Sequence, residues 1–319
     1  MKKYFLPILF AVSFVSCQQK EKKENTTSEI VVNTNHGIQL GSGSIHRIDS
    51  FPSKNIVPRP VDVWLPDGYS KDKKYAVLYM HDGQMLFDSL TTWNKQEWKV
   101  DEWAGQLQKE GKTKDFIVVA PHNISRIRWN DYFPAKSFDY VSKAEQDSLL
   151  TMAKKTNFDA TMNADKYLKF LTQELKPYID QNYSVLTDKE NTAVSGSSMG
   201  GLISMYAISE YPSVFGSAAC ISTHWPGIMP SPNNPIPAAF FEYMKENLPS
   251  PKDHKLYFDY GTKTLDQYYP QYADSVDKIF ADKGYDATNF VNRKFEGEDH
   301  SENSWNKRLD IPFTFLFKK

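Results

Sequence analysis

The 319-residue chain has only two cysteines, 38 basic against 39 acidic side chains, and no apolar run of membrane-spanning length beyond its first twenty residues. Each shortage excludes something. Two cysteines build neither a disulfide scaffold nor a thiolate zinc site. A net charge of −1 leaves no basic excess to neutralise phosphates, so nucleic acid is not the expected partner. No internal repeat occurs, and after residue 43 no Pro/Gly-rich or low-complexity stretch divides the body. What is present is a 40% hydrophobic composition with 14% aromatics, enough for a sizeable core, and that excludes global disorder.

The first residues read as an address. Lys2 and Lys3 precede the apolar stretch Tyr4 to Val15, which has the length of a secretory signal and not of a bilayer span. It ends in Phe14-Val15-Ser16-Cys17, which resembles the bacterial lipobox, with Phe14 where leucine is usual. The resemblance implies a signal peptide over 1–16, cleavage before Cys17 and diacylglycerol on its thiol. The protein is then expected at the bacterial cell envelope, lipid-anchored to the outer membrane on its periplasmic or surface face. Each buried acyl methylene would contribute about 0.8 kcal/mol. Plain secretion or an uncleaved anchor is the alternative. From Gln18 to Gly43 the chain is polar, so 17–43 is expected to be a flexible tether. Cys220 then stands alone in an apolar run and reads as a small core residue.

From residue 44 to 319 a single domain is expected. Strand-like runs occur at 44–51, 60–65, 75–81, 116–120, 192–195, 216–221, 255–260 and 292–295. Helical periodicity occurs at 100–109, 164–182, 200–210, 271–283 and 304–309, as in Tyr167, Leu168, Leu171 and Leu175. Two antiparallel-looking strands followed by alternating β and α predict an α/β fold: one mostly parallel sheet with helices on both faces. The stretch 125–162 fits neither period; its Arg, Trp, Tyr and Phe content suggests an ordered cover over a site.

Chemistry concentrates at three places. Gly196-Ser197-Ser198-Met199-Gly200 carries Gly-x-Ser-x-Gly between an expected strand and helix, the setting in which a sharp turn exposes a serine Oγ. Ser198 is the candidate nucleophile, and the N–H of Met199 a donor to a developing oxyanion. His300, just past the last expected strand, is the candidate general base. The acid that orients it is expected from the preceding strand region, which offers Asp259 and Asp266. Asp266 is preferred because it lies beyond the strand's carboxyl end, where sites of open α/β sheets collect. The second oxyanion donor is expected from His81-Asp82-Gly83-Gln84, with Gly83 allowing close approach and Gln84 giving its N–H. His81 and Asp82 read as loop-shaping residues and not as metal ligands.

These segments together resemble the esterase family of α/β-hydrolases, which includes feruloyl and acetyl-xylan esterases of carbohydrate esterase family one, enterochelin esterases, S-formylglutathione hydrolase and mycolyltransferases. His81-Asp82-Gly83-Gln84, Gly196 to Gly201, Tyr260-Gly261-Thr262 and Asp299-His300-Ser301 carry the resemblance, with Asp82 and Gln84 where relatives often have a glycine run. It implies an α/β-hydrolase fold and a serine esterase working through an acyl-enzyme with no metal or organic cofactor. The expected substrates are acetyl or feruloyl esters of poly- or oligosaccharides. Siderophore-ester hydrolysis or acyl transfer is the alternative, and an inactive ligand-binding lipoprotein a further one. Substrate-lining candidates are His224 and Trp225 first, then Arg126 and Trp305, with Trp93, Trp98, Arg128, Tyr132 and Phe133 as further possibilities.

Overall fold

Strands that are apolar on both faces must be covered on both, and this fixes the architecture. A computed structural model describes residues 1–3, 30–34 and 37–319; Cys17, nearly all of the signal segment and most of the tether lie outside the described residues. Eight strands form one sheet: β1 (Ser44–Phe51), β2 (Arg59–Leu65), β3 (Ala76–Met80), β4 (Phe116–Pro121), β5 (Thr192–Ser197), β6 (Ser217–Ile221), β7 (Lys255–Tyr260) and β8 (Phe290–Lys294). Their order is β1-β2-β4-β3-β5-β6-β7-β8. β1, β2 and β4 pair antiparallel, and every pair from β4 to β8 is parallel. Every residue of β3, β4, β5 and β6 is buried.

Alternation splits the core into two layers. Val77, Tyr79, Ile117, Val119, Val194, Leu256 and Phe258 point to one face. Ala76, Leu78, Met80, Val118, Ala193 and Tyr257 point to the other. The second face is covered by α1 (Val100–Lys109) and the C-terminal helix. The first is covered by α4 (Ala164–Lys169) and α5 (Lys176–Asn182), which flank a π-helical turn at Phe170–Leu175, and by α6 (Met199–Glu210), α7 (Ile236–Asn247) and α8 (Ala273–Asp282). Two helices, the five-residue α2 (Arg128–Tyr132) and the thirteen-residue α3 (Lys143–Lys155), build the cover, and α9 (Glu302–Asn306) and α10 (Asp310–Phe317) follow at the C-terminal end.

All eight expected strands are present, with ends shifted by no more than two residues, the range over which such boundaries blur. The expected helix over 164–182 is interrupted in register by the π turn, just before Pro177, which has no N–H for the preceding turn. α7 and α10 escape a periodicity search: α10, Asp-Ile-Pro-Phe-Thr-Phe-Leu-Phe, is apolar all round and reads equally as a strand. α3 is started by a capping box, Ser142 with Glu145, inside the stretch that showed no clear period.

The segment expected to be tether up to residue 43 is fastened to the domain at its C-terminal end. Gln39 N–H donates to Asp88 (2.9 Å), Gly41 N–H to Asp101 (2.7 Å), and Trp64 Nε1–H to the Ser42 carbonyl (2.9 Å). Ile38 and Leu40 pack on the core layer beneath α1. A few apolar residues, Ile38 and Leu40 here and Ile30 further back, help to dock the stretch, and the average composition of 17–43 conceals them.

Candidate active site

The end of β5 delivers Ser198. Its backbone sits at φ 60°, ψ −120°, outside the usual regions for an L-residue. It is held there because its N–H donates to the Ile221 carbonyl (2.9 Å), while its own carbonyl accepts from Gly201, Leu202 and His224 N–H. Gly196 is required by packing: a Cβ there would lie 2.9 Å from backbone atoms of Gly200. α6 begins at Met199, whose N–H is among those with no acceptor inside the helix.

Opposite the elbow lies the loop after β3. Asp82 has a left-handed backbone (φ 62°) and is gripped by Arg128 from the cover through both carboxylate oxygens (2.9 and 2.7 Å) and by Asn123 (2.7 Å). Arg128 also donates to the Ser197 carbonyl (3.2 Å), so one guanidinium ties cover, loop and elbow together. Gly83 admits no side chain, since a Cβ would fall 2.2 Å from the Ala120 carbonyl oxygen. The turn's own bonds run from Met85 and Leu86 N–H, which leaves the Gln84 N–H unused by it. His81 is buried with Nδ1 2.8 Å from the Tyr167 hydroxyl, and burial pushes its pKa down to about 3.

Beyond β7 the two candidate acids separate cleanly. Asp266 Oδ1 lies 2.5 Å from His300 Nδ1, while its Oδ2 accepts from Gly261 N–H (2.6 Å) and Ser222 Oγ–H (2.6 Å). Asp259 lies one layer deeper. It accepts from Arg308 Nη2 and Nε (3.0 and 3.2 Å), from Tyr257 Oη–H (2.9 Å) and from Ser222 N–H (3.0 Å), which leaves it nothing for an imidazole. His300 N–H donates to Thr264 Oγ1 (2.9 Å), so the histidine loop is pinned to the acid loop.

Two histidines of this region, His300 and His224, share a neighbour on the turn after Asp266. Tyr269 lies against both, with its ring 5.9 Å from the His300 ring and its hydroxyl 2.8 Å from His224 Nδ1. Sequence reasoning missed Tyr269, because a tyrosine in a chain with 18 of them carries no positional signal.

Ser198 opens into a cavity of about 740 Å³ shared by Met199, His224, Phe133 and the inner faces of the cover, notably Trp129, Leu149, Met152, Phe158 and Met162. None of its lining residues is Asp, Glu, Lys or Arg. His224 and Phe133 are therefore where a lining role requires them; other candidates are not. Trp225 is buried between Phe241 and Phe258, because the chain turns into the core directly after His224. Trp305 is buried against Trp98 and behind the His300 ring (5.0 Å), and donates Nε1–H to Ser222 Oγ (2.9 Å). Arg126 and Trp93 are exposed away from the cavity, Arg128 is spent on Asp82, and Tyr132 packs on Tyr167.

The model of the family named Esterase, described as "Putative esterase", matches residues 57–316. The chain is 26% identical over 290 residues to an endo-1,4-beta-xylanase/feruloyl esterase of Xylanibacter ruminicola. That match covers 88% of this chain and 32% of the relative, so the chain spans about a third of the relative's length. In structure it resembles a ferulic acid esterase with a TM-score of 0.62 at 20% identity, covering 86% of this chain and 98% of that one. It also resembles an IroE-like serine hydrolase from Shewanella oneidensis (TM-score 0.58, 20% identity, 86% and 79% covered). At such identities the likeness is one of α/β-hydrolase fold.

Proposed function

The chain belongs to the esterase family, and from that membership and its site we propose a serine carboxylic ester hydrolase that cleaves feruloyl-type esters of saccharides through an acyl-enzyme. One observation carries the proposal: a serine on a strained elbow that lines an uncharged, aromatic-rich cavity, together with a histidine held at Nδ1 by a buried carboxylate. In the proposed reaction Ser198 Oγ attacks the ester carbonyl carbon as its proton passes to His300 Nε2. The oxyanion takes the N–H groups of Met199 and Gln84. Collapse breaks the ester C–O bond, His300 returns the proton to the leaving alcohol, and water repeats the cycle to release the acid. Asp266 keeps the Nδ1 proton in place, so that Nε2 is the nitrogen free to accept.

The cavity favours one acyl class. An aromatic acyl group gains from burial against Trp129, Phe133 and Phe158, whereas an acetyl group leaves most of the space unused. An anionic catecholate siderophore finds no Lys or Arg among the lining residues, since neither Arg126 nor Arg128 lines the cavity. With methyl ferulate, acetylated xylan and a ferric catecholate siderophore assayed side by side, kcat/KM for the ferulate should exceed the other two at least about tenfold, the scale of hydrophobic-pocket discrimination. Faster deacetylation of xylan would sink the acyl assignment.

We also propose that the enzyme is anchored at the cell envelope through Cys17, a reading that rests on Phe14-Val15-Ser16-Cys17. Full-length protein should partition with membranes and incorporate labelled fatty acid, and Cys17→Ser should do neither. Equal membrane partitioning of the two proteins would refute the anchor.

A further inference from the structure

The turn that carries Gln84 is held from outside by side chains. After β3, His81 N–H donates to the Ser195 carbonyl (2.9 Å), and the turn Gly83–Met85 follows at once, started by Asp82 in the left-handed region (φ 62°). A residue other than glycine keeps such a backbone where its surroundings impose it. Here the imposition is a carboxylate that receives three N–H groups. Arg128 Nε and Nη2 reach its two oxygens (2.9 and 2.7 Å), and Asn123 Nδ2 shares Oδ1 (2.7 Å). The Asp82 side chain is 9% exposed and that of Arg128 26%, so the pair is largely shielded from water and salt. Arg128 has a second task. Its Nη2 also donates to the carbonyl of Ser197, the residue before the proposed nucleophile (3.2 Å). Asp82 Oδ2 lies close to the first turn of α6, 3.3 Å from where a Cβ on Gly200 would stand. One guanidinium therefore spans the two segments, the loop after β3 and the elbow, that are expected to flank the oxyanion.

We propose that Arg128 is a positioning residue of the oxyanion hole: by gripping Asp82 and the Ser197 carbonyl together, it fixes the Gln84 N–H relative to the N–H of Met199. This role rests on the hydrolase reading above, with those two groups as donors. In it the guanidinium touches no reacting atom and passes no proton. A fork suits the task better than an ammonium, because its planar N–H pair sets the orientation of the carboxylate as well as its distance. The same helix, α2, carries Trp129 towards the cavity, and Phe133 follows it. Those rings have anchors of their own. Trp129 Nε1–H donates to the Gly227 carbonyl (2.7 Å), and the Phe133 ring packs 5.3 Å from that of Phe240. Loss of the Arg128 side chain should therefore disturb the oxyanion turn more than the acyl cavity.

Arg128→Met, Asp82→Asn and the double variant are compared with wild type and Ser198→Ala, after thermal melts confirm that each is folded at the assay temperature. Asparagine removes the charge at position 82 while tolerating the left-handed backbone. Arg128→Met should lower kcat for methyl ferulate about 10–100-fold, short of the loss of a whole oxyanion donor, with KM unchanged within about threefold. Affinity for an aryl trifluoromethyl ketone, whose serine adduct carries an oxyanion, should fall by the same factor as kcat/KM. Affinity for the product, ferulic acid, should hold within about threefold. A merely loosened cover would do the reverse: Trp129 and Phe133 would shift, KM would rise and ferulic acid would bind more weakly. That pattern, or a wild-type kcat, beside an inactive Ser198→Ala overturns the positioning role and leaves the hydrolase reading standing. Retained activity in Ser198→Ala overturns both. The double variant checks the route. If Arg128 acts through Asp82, adding Asp82→Asn to Arg128→Met should cost no more than about a further threefold in kcat. Losses that multiply would show that Arg128 works independently of Asp82, and would overturn the role.

Discussion

Ser198→Ala is expected to lower kcat for methyl ferulate by about 10⁵–10⁶-fold, the scale seen when a nucleophile is removed from an interdependent catalytic set. It should also abolish covalent labelling by a fluorophosphonate. The fold is spared because the elbow is held by its backbone: the Ser198 N–H and carbonyl make the bonds to the core. Stability should therefore barely change in the alanine variant, which keeps the Cβ and with it the unfavourable φ of 60°. Glycine is the informative contrast. Ser198→Gly is equally inactive but is released from a backbone conformation that costs an L-residue on the order of 1–3 kcal/mol. It should melt above wild type. An alanine variant that still labels would place the nucleophile elsewhere, and a glycine variant that melts lower would show that the elbow stores no strain.

How much of this was legible in the sequence depends on how local the signal is. The central strands are, because Ala76–Met80 and Phe116–Pro121 are apolar at every position and cannot be placed anywhere but between two covered faces. The elbow is, because a glycine two residues before the serine answers to a backbone contact 2.9 Å away. The preference for Asp266 over Asp259 rested on a single geometric idea, that sites gather past the carboxyl ends of strands, and the partition of their hydrogen bonds agrees with it. What was not legible is long-range. Trp305 and Trp225 look like ligand-binding aromatics until the fold shows each packed on its inner side. The Tyr269–His224 contact and the Arg128–Asp82 tie join segments separated by tens of residues, and no spacing rule announces them. The cover is the intermediate case: its aromatic content pointed to order, but α3 packs no residue fully into the core, so it has only a weak periodic pattern to read.

The two buried aspartates should respond in opposite ways to the same substitution. Asp266→Asn is expected to lower kcat about 10³–10⁴-fold with little loss of stability. Its Oδ2 side receives two donors, Gly261 N–H and Ser222 Oγ–H, and its Oδ1 side one, His300 Nδ1. An asparagine can turn its oxygen to only one side, and two donors outvote one. Its NH₂ then faces His300, which must present a bare Nδ1 and carry its proton on Nε2, the tautomer that cannot accept from Ser198. Asp259→Asn leaves the tautomer alone and strikes the fold. Asp259 and Arg308 form a pair with side chains almost fully buried, and removing one charge strands the other, at a cost of about 3–5 kcal/mol. That variant should unfold at markedly lower urea concentration, yet at a temperature where it is folded it should keep kcat within about tenfold of wild type. Ser222 makes the comparison strict, because it links the two acids, donating its N–H to Asp259 and its hydroxyl to Asp266. If Asp259→Asn abolished turnover in folded protein while Asp266→Asn spared it, the acid would be the deeper residue. The contact between Asp266 and His300 would then be a structural one.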